Sequence, residues 1–588
     1  MDYGNANLSF AAALLENAVQ RGLRHVVICP GSRSTPLALA AAVHPALTTH
    51  VLIDERSAAF FALGIARQLH EPVGLICTSG TAAANFAPAV IEAHLSRIPL
   101  LVLTADRPAE LRDWGAAQTI DQVDMYGSHT RWSRDLPAPV GDPAESRHAK
   151  ATAVRAMALA SGPPAGPVHL NLQFREPLIP GGSDPPALIR EHYLVASPER
   201  TPRSQAPAPA PADVEQLVNL TRSRPDGIIV CGPHAGAELG HAAAALSAAT
   251  GYPCLADPLS TVRYAWDAPC GLIDAYDIFL REPGLNAKLA PELVIRVGGM
   301  PTSKPLVQFL SRQETPVIAI DPGSLRDAGH SATWHVRSDE RATLEAVAKA
   351  LDSDAHAGRT DWFSRWTTLN TRTSDAIASA LRAHQSLSEP GVAGVVVDLL
   401  PRGGTLVVGN SMPVRDIDTF AAGGDRGIRV TGTRGAIGID GVTSTVLGAA
   451  AVASGPVALL IGDLSFLHDL GGLQAAALTT VPVTIVVVNN NGGGIFSFLP
   501  QHNQVESALF ETLFGTPAAL DIQRAAAVFG CDYARPVCMD SFKHEFCHSL
   551  TSPGVTILEV RTNRDQNLAL HREIAASALG DLAETNDA

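Results

Sequence analysis

Short apolar runs alternate with helical-period stretches along most of the chain. In the first third, His25–Cys29, His50–Ile53, Val73–Thr78, Leu100–Thr104 and Val168–Asn171 read as buried strands. Helix-like segments separate them, and this βαβ rhythm predicts a parallel sheet covered on both faces. The rhythm returns at Gly227–Cys231, Leu293–Val297 and Pro316–Asp321. It returns again at Thr405–Val408, Val457–Ile461, Val483–Val488 and Gly554–Val560. Met1–Gln20 has apolar positions at helical spacing, predicting a surface helix rather than a cleaved leader.

The breaks in this rhythm divide the chain into three α/β blocks: 1–195, 213–355 and 362–580. A proline-alanine stretch over 196–212 predicts an extended linker between the first two. The blocks are of similar size, without an exact internal repeat. A length of 588 residues is too great for one core.

Composition narrows the classes. Apolar residues make up 46% and charged residues 17%, which suits buried α/β layers rather than disorder. The formal net charge of −14 argues against a nucleic-acid partner. No apolar stretch reaches the roughly 18 residues of a membrane span. The eight cysteines lack a CxxC spacing, so reduced thiols in a cytoplasmic protein are expected. Cys531 and Cys538 could in principle pair, but a reducing compartment disfavours it.

The densest chemistry lies between Gly462 and Gly494. Asp463 follows one predicted strand, and Asn489-Asn490-Asn491-Gly492-Gly493-Gly494 follows the next. Adjacent parallel strands would bring Asp463 and Asn490 to one sheet edge. A carboxylate and an amide oxygen beside glycine-rich backbone are hard oxygen ligands of the kind Mg²⁺ takes. A helix following Ser465 would aim its amides at phosphate oxygens. The plain alternative is a pair of βα turns, since Asp, Asn and Gly all favour such loops. Gly298-Gly299-Met300 also follows a predicted strand but lacks a full dinucleotide fingerprint.

The spacing of Gly462-Asp463 and Asn489-Asn490 resembles the diphosphate–Mg²⁺ signature of thiamine-diphosphate-dependent enzymes. In the first block, Asp54-Glu55-Arg56 puts a glutamate past a strand at a helix start. By itself Glu55 reads as a first-turn acid stabilised by the helix dipole. The resemblance implies instead a carboxyl beside N1′ of the cofactor's aminopyrimidine. Five further runs carry the likeness: Pro30–Leu37, Thr104–Arg112, Gly409-Asn410-Ser411, Arg434–Gly441 and Gly492–Pro500. Together they are similar to the members of that superfamily that join 2-oxoglutarate to isochorismate in menaquinone biosynthesis.

That resemblance implies three doubly wound parallel-sheet domains: a pyrimidine-binding domain (1–195), a central Rossmann-like domain (213–355) and a diphosphate/Mg-binding domain (362–580). It implies Mg²⁺, with Mn²⁺ as a substitute, on Asp463, Asn490 and the Gly492 carbonyl. The cofactor would be held by Glu55, Asn410, Ser411, Ile439, Asp463, Leu464, Ser465, Asn490, Gly492, Gly493, Ile495 and Phe496. Ile439 would be the wedge under its two rings. Substrate would meet Ser32, Arg33, Arg107, Gln118, Lys304, Arg415 and Arg434. Of these, Ser32, Arg33, Gln118, Arg415 and Arg434 join Glu55 as catalytic candidates. Both substrates are anions with carboxylates, for which planar guanidinium donors are suited. The resemblance also implies a homodimer or homotetramer with active sites at the dimer interface.

Each assignment has a competitor. Arg415 beside Asp416 and Asp418, and Arg107 beside Asp106, suggest local ion pairs. Ile439 reads equally as core, and Lys304 as a solvated lysine. Ala117, Ile437 and Gly471 depart from the family pattern. Another thiamine-diphosphate carboligase, of the acetolactate synthase kind, and a non-catalytic cofactor-binding protein remain the alternative functions.

Overall fold

The computed structural model describes residues 2–181, 184–193, 206–233, 239–266, 268, 270–311, 314–352, 361–384 and 386–583. Three six-stranded sheets are present, and every strand pair within them is parallel. The first contains β1 (His25–Ile28), β2 (Thr48–Val51), β3 (Val73–Cys77), β4 (Leu100–Asp106), β5 (Trp132–Leu136) and β6 (Pro167–Gln173) in the order β2-β1-β3-β4-β6-β5. The second contains β7 (Gly227–Cys231), β8 (Cys254–Ala256), β9 (Leu272–Ile273), β10 (Leu293–Val297), β11 (Val317–Ile320) and β12 (Ala332–Val336), ordered β12-β11-β10-β7-β8-β9. The third contains β13 (Thr405–Val408), β14 (Arg429–Thr431), β15 (Val457–Gly462), β16 (Val483–Asn489), β17 (Asp532–Ala534) and β18 (Val555–Arg561), ordered β14-β13-β15-β16-β18-β17.

The central strands are continuous apolar runs because both faces are covered. β3, β4, β6, β7 and β10 are buried at every position. Six strands carry no apolar-run signal and were not expected: β5, β8, β9, β12, β14 and β17. Four of them, β5, β12, β14 and β17, are edge strands with most positions half-buried or exposed.

By density of contacts the chain forms two units. The first comprises 1–205, 433–453 and 468–480, and the second 206–432, 454–467 and 481–588. In the first unit, the Tyr3–Val19 helix is more than a surface helix. Leu8, Phe10, Leu14, Leu15 and Ala18 are buried in a core shared with Val26, Leu101, Leu170 and Phe174. The Glu55–Leu69 helix lies directly against the Val442–Ala450 helix. A Cβ on Gly64 would stand 2.0 Å from the Thr445 carbonyl, and one on Gly448 would stand 2.0 Å from that of Phe61. Only glycine allows the two backbones so close.

The linker stretch falls mostly outside the described residues. Its last two residues are helical, in Pro211–Ser223, where Pro211 takes the first turn that suits its fixed φ. All eight cysteines are free, including Cys531 and Cys538.

Candidate functional site

In the third sheet β13, β15 and β16 lie side by side, with Val408 level with Leu460 and Gly462 level with Val488. Their carboxyl ends deliver Asn410 and Ser411, Asp463, and Asn490 to one edge. The strand order reverses between β13 and β15, the place where open α/β sheets bind ligands.

The Asp463 side chain is 4% exposed. Its Oδ1 accepts the Leu464 N–H (2.8 Å), and its Oδ2 accepts the Gly492 N–H (2.9 Å). Burial pushes its carboxyl up to about 6, against these donors, which pull it down. The helix here is Asp463–His468, so it starts at Asp463 and includes Ser465 rather than following it. Gly492 has φ +142°, and a Cβ there would stand 2.0 Å from the Gly515 carbonyl. The turn therefore requires glycine.

Asn490 donates Nδ2 to Glu389 Oε1 (2.9 Å), while its Oδ1 is buried with no hydrogen-bond partner. Leaving a buried acceptor unpaired costs on the order of 1–3 kcal/mol. An orphaned amide oxygen two residues from the Gly492 turn, which Asp463 holds, is what a hard cation would satisfy. The residues present therefore fit Mg²⁺. Among the described residues no cluster of three or more His, Cys, Asp or Glu offers another cation site.

Glu389 was not anticipated from the sequence. It is the first residue of the Glu389–Leu399 helix, and burial, with Asp416 nearby, pushes its carboxyl up to about 7. Its Oε1 also accepts from Thr562 Oγ1 (2.8 Å). Asp416 is buried with His571 Nε2 at 3.2 Å, and Asp418 pairs with the buried Arg263 at 3.2 Å. Arg415 therefore has neither carboxylate as its ion-pair partner. Its guanidinium donates to the Ser411 carbonyl, which ties it to the β13 loop. Burial lowers its affinity for the proton, with Asp416, Asp277 and Asp418 acting in the other direction.

Leu464 and Ser465 lie in the first turn after Asp463. Gly493 accepts close backbone packing, its N–H donating to Gly515 O (2.8 Å), and Ile495 and Phe496 follow in a short 3₁₀ turn. Lys304 is exposed at the start of the Lys304–Ser311 helix, past β10. A cavity of about 680 Å³ in this unit, lined by Ile377, Gly394, Phe420 and Met539 among others, contains none of the candidate residues.

The first unit carries the remaining candidates at the carboxyl edge of its sheet. Ser32 and Arg33 follow β1, Glu55 follows β2, and Arg107 follows β4. Glu55 opens its helix, yet the capping contact is made by Asp54, whose carboxylate takes the Ser57 N–H (3.1 Å). Burial and the Glu55 and Asp54 carboxylates push the Cys29 thiol up. Arg33 is 7% exposed and donates to the Phe174 carbonyl (2.9 Å) and to Glu176 Oε1 (2.7 Å). The Asp106 carboxylate goes to Arg112 (2.7 Å) rather than to the Arg107 guanidinium. Arg107 instead meets Ser79 Oγ and the Gln118 carbonyl. Burial and the neighbouring Arg33 charge weaken its hold on the proton. Gln118 is exposed, has φ +54°, and donates Nε2 to the Ser79 carbonyl (2.9 Å). Ser32 is exposed, and its carbonyl takes the Thr35 N–H (3.0 Å).

The loop bearing Arg434 is clamped by Glu92, a buried acid also missed in the sequence. Its carboxylate accepts the Gly435 N–H (3.0 Å) and the Ala436 N–H (2.7 Å), and pairs with Arg67 (3.3 Å). Ile439 is 41% exposed, so it is not a core residue. Ile437 is 49% exposed with φ +62°, a strained conformation for a β-branched side chain. Ala117 is exposed, and a Cβ on Gly471 would meet Asp54 Oδ2 only at 3.6 Å.

Comparison with known proteins gives the family. Residues 8–125 match the model of the thiamine pyrophosphate enzyme N-terminal TPP-binding domain, 200–408 the middle domain of thiamine pyrophosphate, and 430–560 the C-terminal TPP-binding domain. Three similar relatives are each named 2-succinyl-5-enolpyruvyl-6-hydroxy-3-cyclohexene-1-carboxylate synthase. That of Geobacillus kaustophilus is 45% identical over 96% of both chains. That of Chloroflexus aurantiacus is 44% identical over 96% of this chain and 95% of its own. That of Geobacillus thermodenitrificans is 44% identical over 97% and 96%. At such identity across nearly the whole length, the chain belongs to the 2-succinyl-5-enolpyruvyl-6-hydroxy-3-cyclohexene-1-carboxylate synthase family of thiamine-pyrophosphate enzymes.

Proposed function

We propose that this chain decarboxylates 2-oxoglutarate and adds the remaining four-carbon unit to isochorismate by 1,4-addition. The products are 2-succinyl-5-enolpyruvyl-6-hydroxy-3-cyclohexene-1-carboxylate and CO₂, in menaquinone biosynthesis. Thiamine diphosphate, when bound, supplies the carbon nucleophile and electron sink that decarboxylation of a 2-oxoacid needs. The single observation that carries the reading is the buried, unpartnered Asn490 Oδ1 beside the Asp463–Gly492 turn, in a chain of this family.

The residues divide the work. Asp463, Asn490 and the Gly492 carbonyl hold Mg²⁺, or Mn²⁺ in its place. Leu464, Ser465, Gly493, Ile495, Phe496, Asn410 and Ser411 line the diphosphate side, and Ile439 supports the rings from below. Glu55 holds a proton at N1′ of the aminopyrimidine. Ser32, Arg33, Arg107, Gln118, Lys304, Arg415 and Arg434 bind and orient the substrate carboxylates, the guanidinium groups by paired hydrogen bonds. Residues 1–195, 213–355 and 362–580 act as the pyrimidine, central and diphosphate domains.

The active unit is a homo-oligomer with sites at a two-fold interface. Val51 and Ile53, 58% and 80% exposed just ahead of Glu55, are an apolar edge that a second copy would cover. Eight free thiols support a reducing, cytoplasmic setting. No described helix is long and apolar enough to cross a membrane.

The test is a reaction containing isochorismate and 2-oxoglutarate, with and without thiamine diphosphate and Mg²⁺, read by product mass. The expected result is the named product only when both additions are present. Equal use of pyruvate would favour an acetolactate synthase-like carboligase. Binding of the cofactor with no product from either oxoacid would favour a non-catalytic protein.

A further inference from the structure

Asn489 and Asn490 are consecutive, and each gives its amide N–H to a buried carboxylate. Asn489 Nδ2 donates to Glu559 Oε1 at 2.7 Å, and Asn490 Nδ2 to Glu389 Oε1 at 2.9 Å. Glu389 is 3% exposed and comes from a helix 101 residues earlier in the chain. Its Oε1 takes a second hydrogen bond, from Thr562 Oγ1. Accepting from both Thr562 Oγ1 and Asn490 Nδ2, Glu389 Oε1 faces the amide as an acceptor. The Asn490 amide must therefore turn its nitrogen toward Glu389, which leaves Oδ1 facing away. The flipped amide would set two acceptors against each other in a buried place. The cost of the observed arrangement is visible, since Oδ1 has no partner in the protein.

We propose that Glu389 is the positioning residue of the cation site: its carboxylate fixes the Asn490 amide so that Oδ1 is held open as a ligand. Glu389 does not itself touch the cation. The inference rests on the reading of Asn490 as a Mg²⁺ ligand given above. Loss of a group that orients a metal ligand typically costs roughly 10–100-fold in metal affinity.

The test titrates Mg²⁺ into the full-length protein at fixed thiamine diphosphate, without substrates, and follows the cofactor-dependent rise in melting temperature. Glu389→Leu should raise the half-saturating Mg²⁺ roughly 10–100-fold. Glu389→Gln keeps an acceptor oxygen and should fall between Leu and wild type. If the Leu variant does not fold, the Gln variant should still raise half-saturation by roughly 3–10-fold, within the lower part of that range. In an Asn490→Ala background, the same Glu389 substitutions should add nothing, because the effect runs through the amide. A lower melting temperature with unchanged half-saturating Mg²⁺ would overturn the proposal and leave Glu389 a structural acid. An undiminished effect in the Asn490→Ala background would overturn it too. If wild type shows no Mg²⁺-dependent stabilisation by thiamine diphosphate, the functional reading itself fails.

Discussion

The arginine corner of the first unit and the asparagine turn of the second answer the same question in opposite ways. Arg33 and Arg107 are already engaged, by Phe174, Glu176, Ser79 and Gln118. Asn490 is held by Glu389 on one side and left open on the other. A satisfied donor can stay put without a ligand, and binding must then compete with its present partners. A buried acceptor kept unsatisfied is costly unless something supplies the missing contact. The difference separates residues that shape a site from residues that wait for a bound group.

Breaking the chemistry itself should have the largest effect. Glu55→Gln should lower turnover by roughly 10²–10⁴-fold, the range for loss of a proton-transfer group, with an unchanged melting temperature. Near-normal turnover would remove Glu55 from its role. Next, Asp463→Ala should weaken Mg²⁺-dependent binding of thiamine diphosphate by roughly 100-fold, at the upper end of what supporting residues give. Calorimetry showing unchanged affinity would move the cation elsewhere.

Arg415→Ala and Arg434→Ala sharpen the contrast from the other side. Each should raise KM for the carboxylate substrates by roughly 10–100-fold, since hydrogen bonds to charged groups contribute about 1.5–3 kcal/mol. Cation affinity should not move. A loss confined to thermal stability would return these arginines to a structural role.

The smallest expected effect concerns Asp469, buried and accepting from Ser444 N (2.7 Å) and Ser444 Oγ (3.0 Å). Burial pushes its carboxyl up to about 6. A carboxyl raised on folding favours the fold fully below about pH 4, its unfolded value, and this contribution is lost as pH rises through about 6. Relative to Asp469→Asn, wild type should therefore lose on the order of 2 kcal/mol between pH 4 and pH 7. Urea unfolding across that range, without cofactor, measures it. A pH-independent difference would show that Asp469 stays ionised in the fold.

What the sequence disclosed follows from range. Strands such as β3, β4 and β16 are apolar runs because the sheet buries both their faces, and Asp463, Asn490 and Gly492 stand out because a βα turn needs their chemistry. The edge strand β14 was missed because Arg429–Thr431 is short, pairs on one side only and is half-buried at two of its three positions. Arg33 was expected as a substrate donor, yet its partner Glu176 lies 143 residues away. Glu92 reaches its clients from 343 residues off, and Glu389 reads locally as an ordinary helix-start acid. No spacing rule connects such pairs; only the folded sheet edge does.

The most direct measurement compares Mg²⁺ binding by calorimetry, with thiamine diphosphate present, in wild type, Asn490→Ala and Arg415→Ala. The account predicts that the asparagine variant loses most of its cation affinity while the arginine variant keeps it. Equal affinity in all three proteins would contradict the claim that the open Asn490 oxygen is a cation ligand.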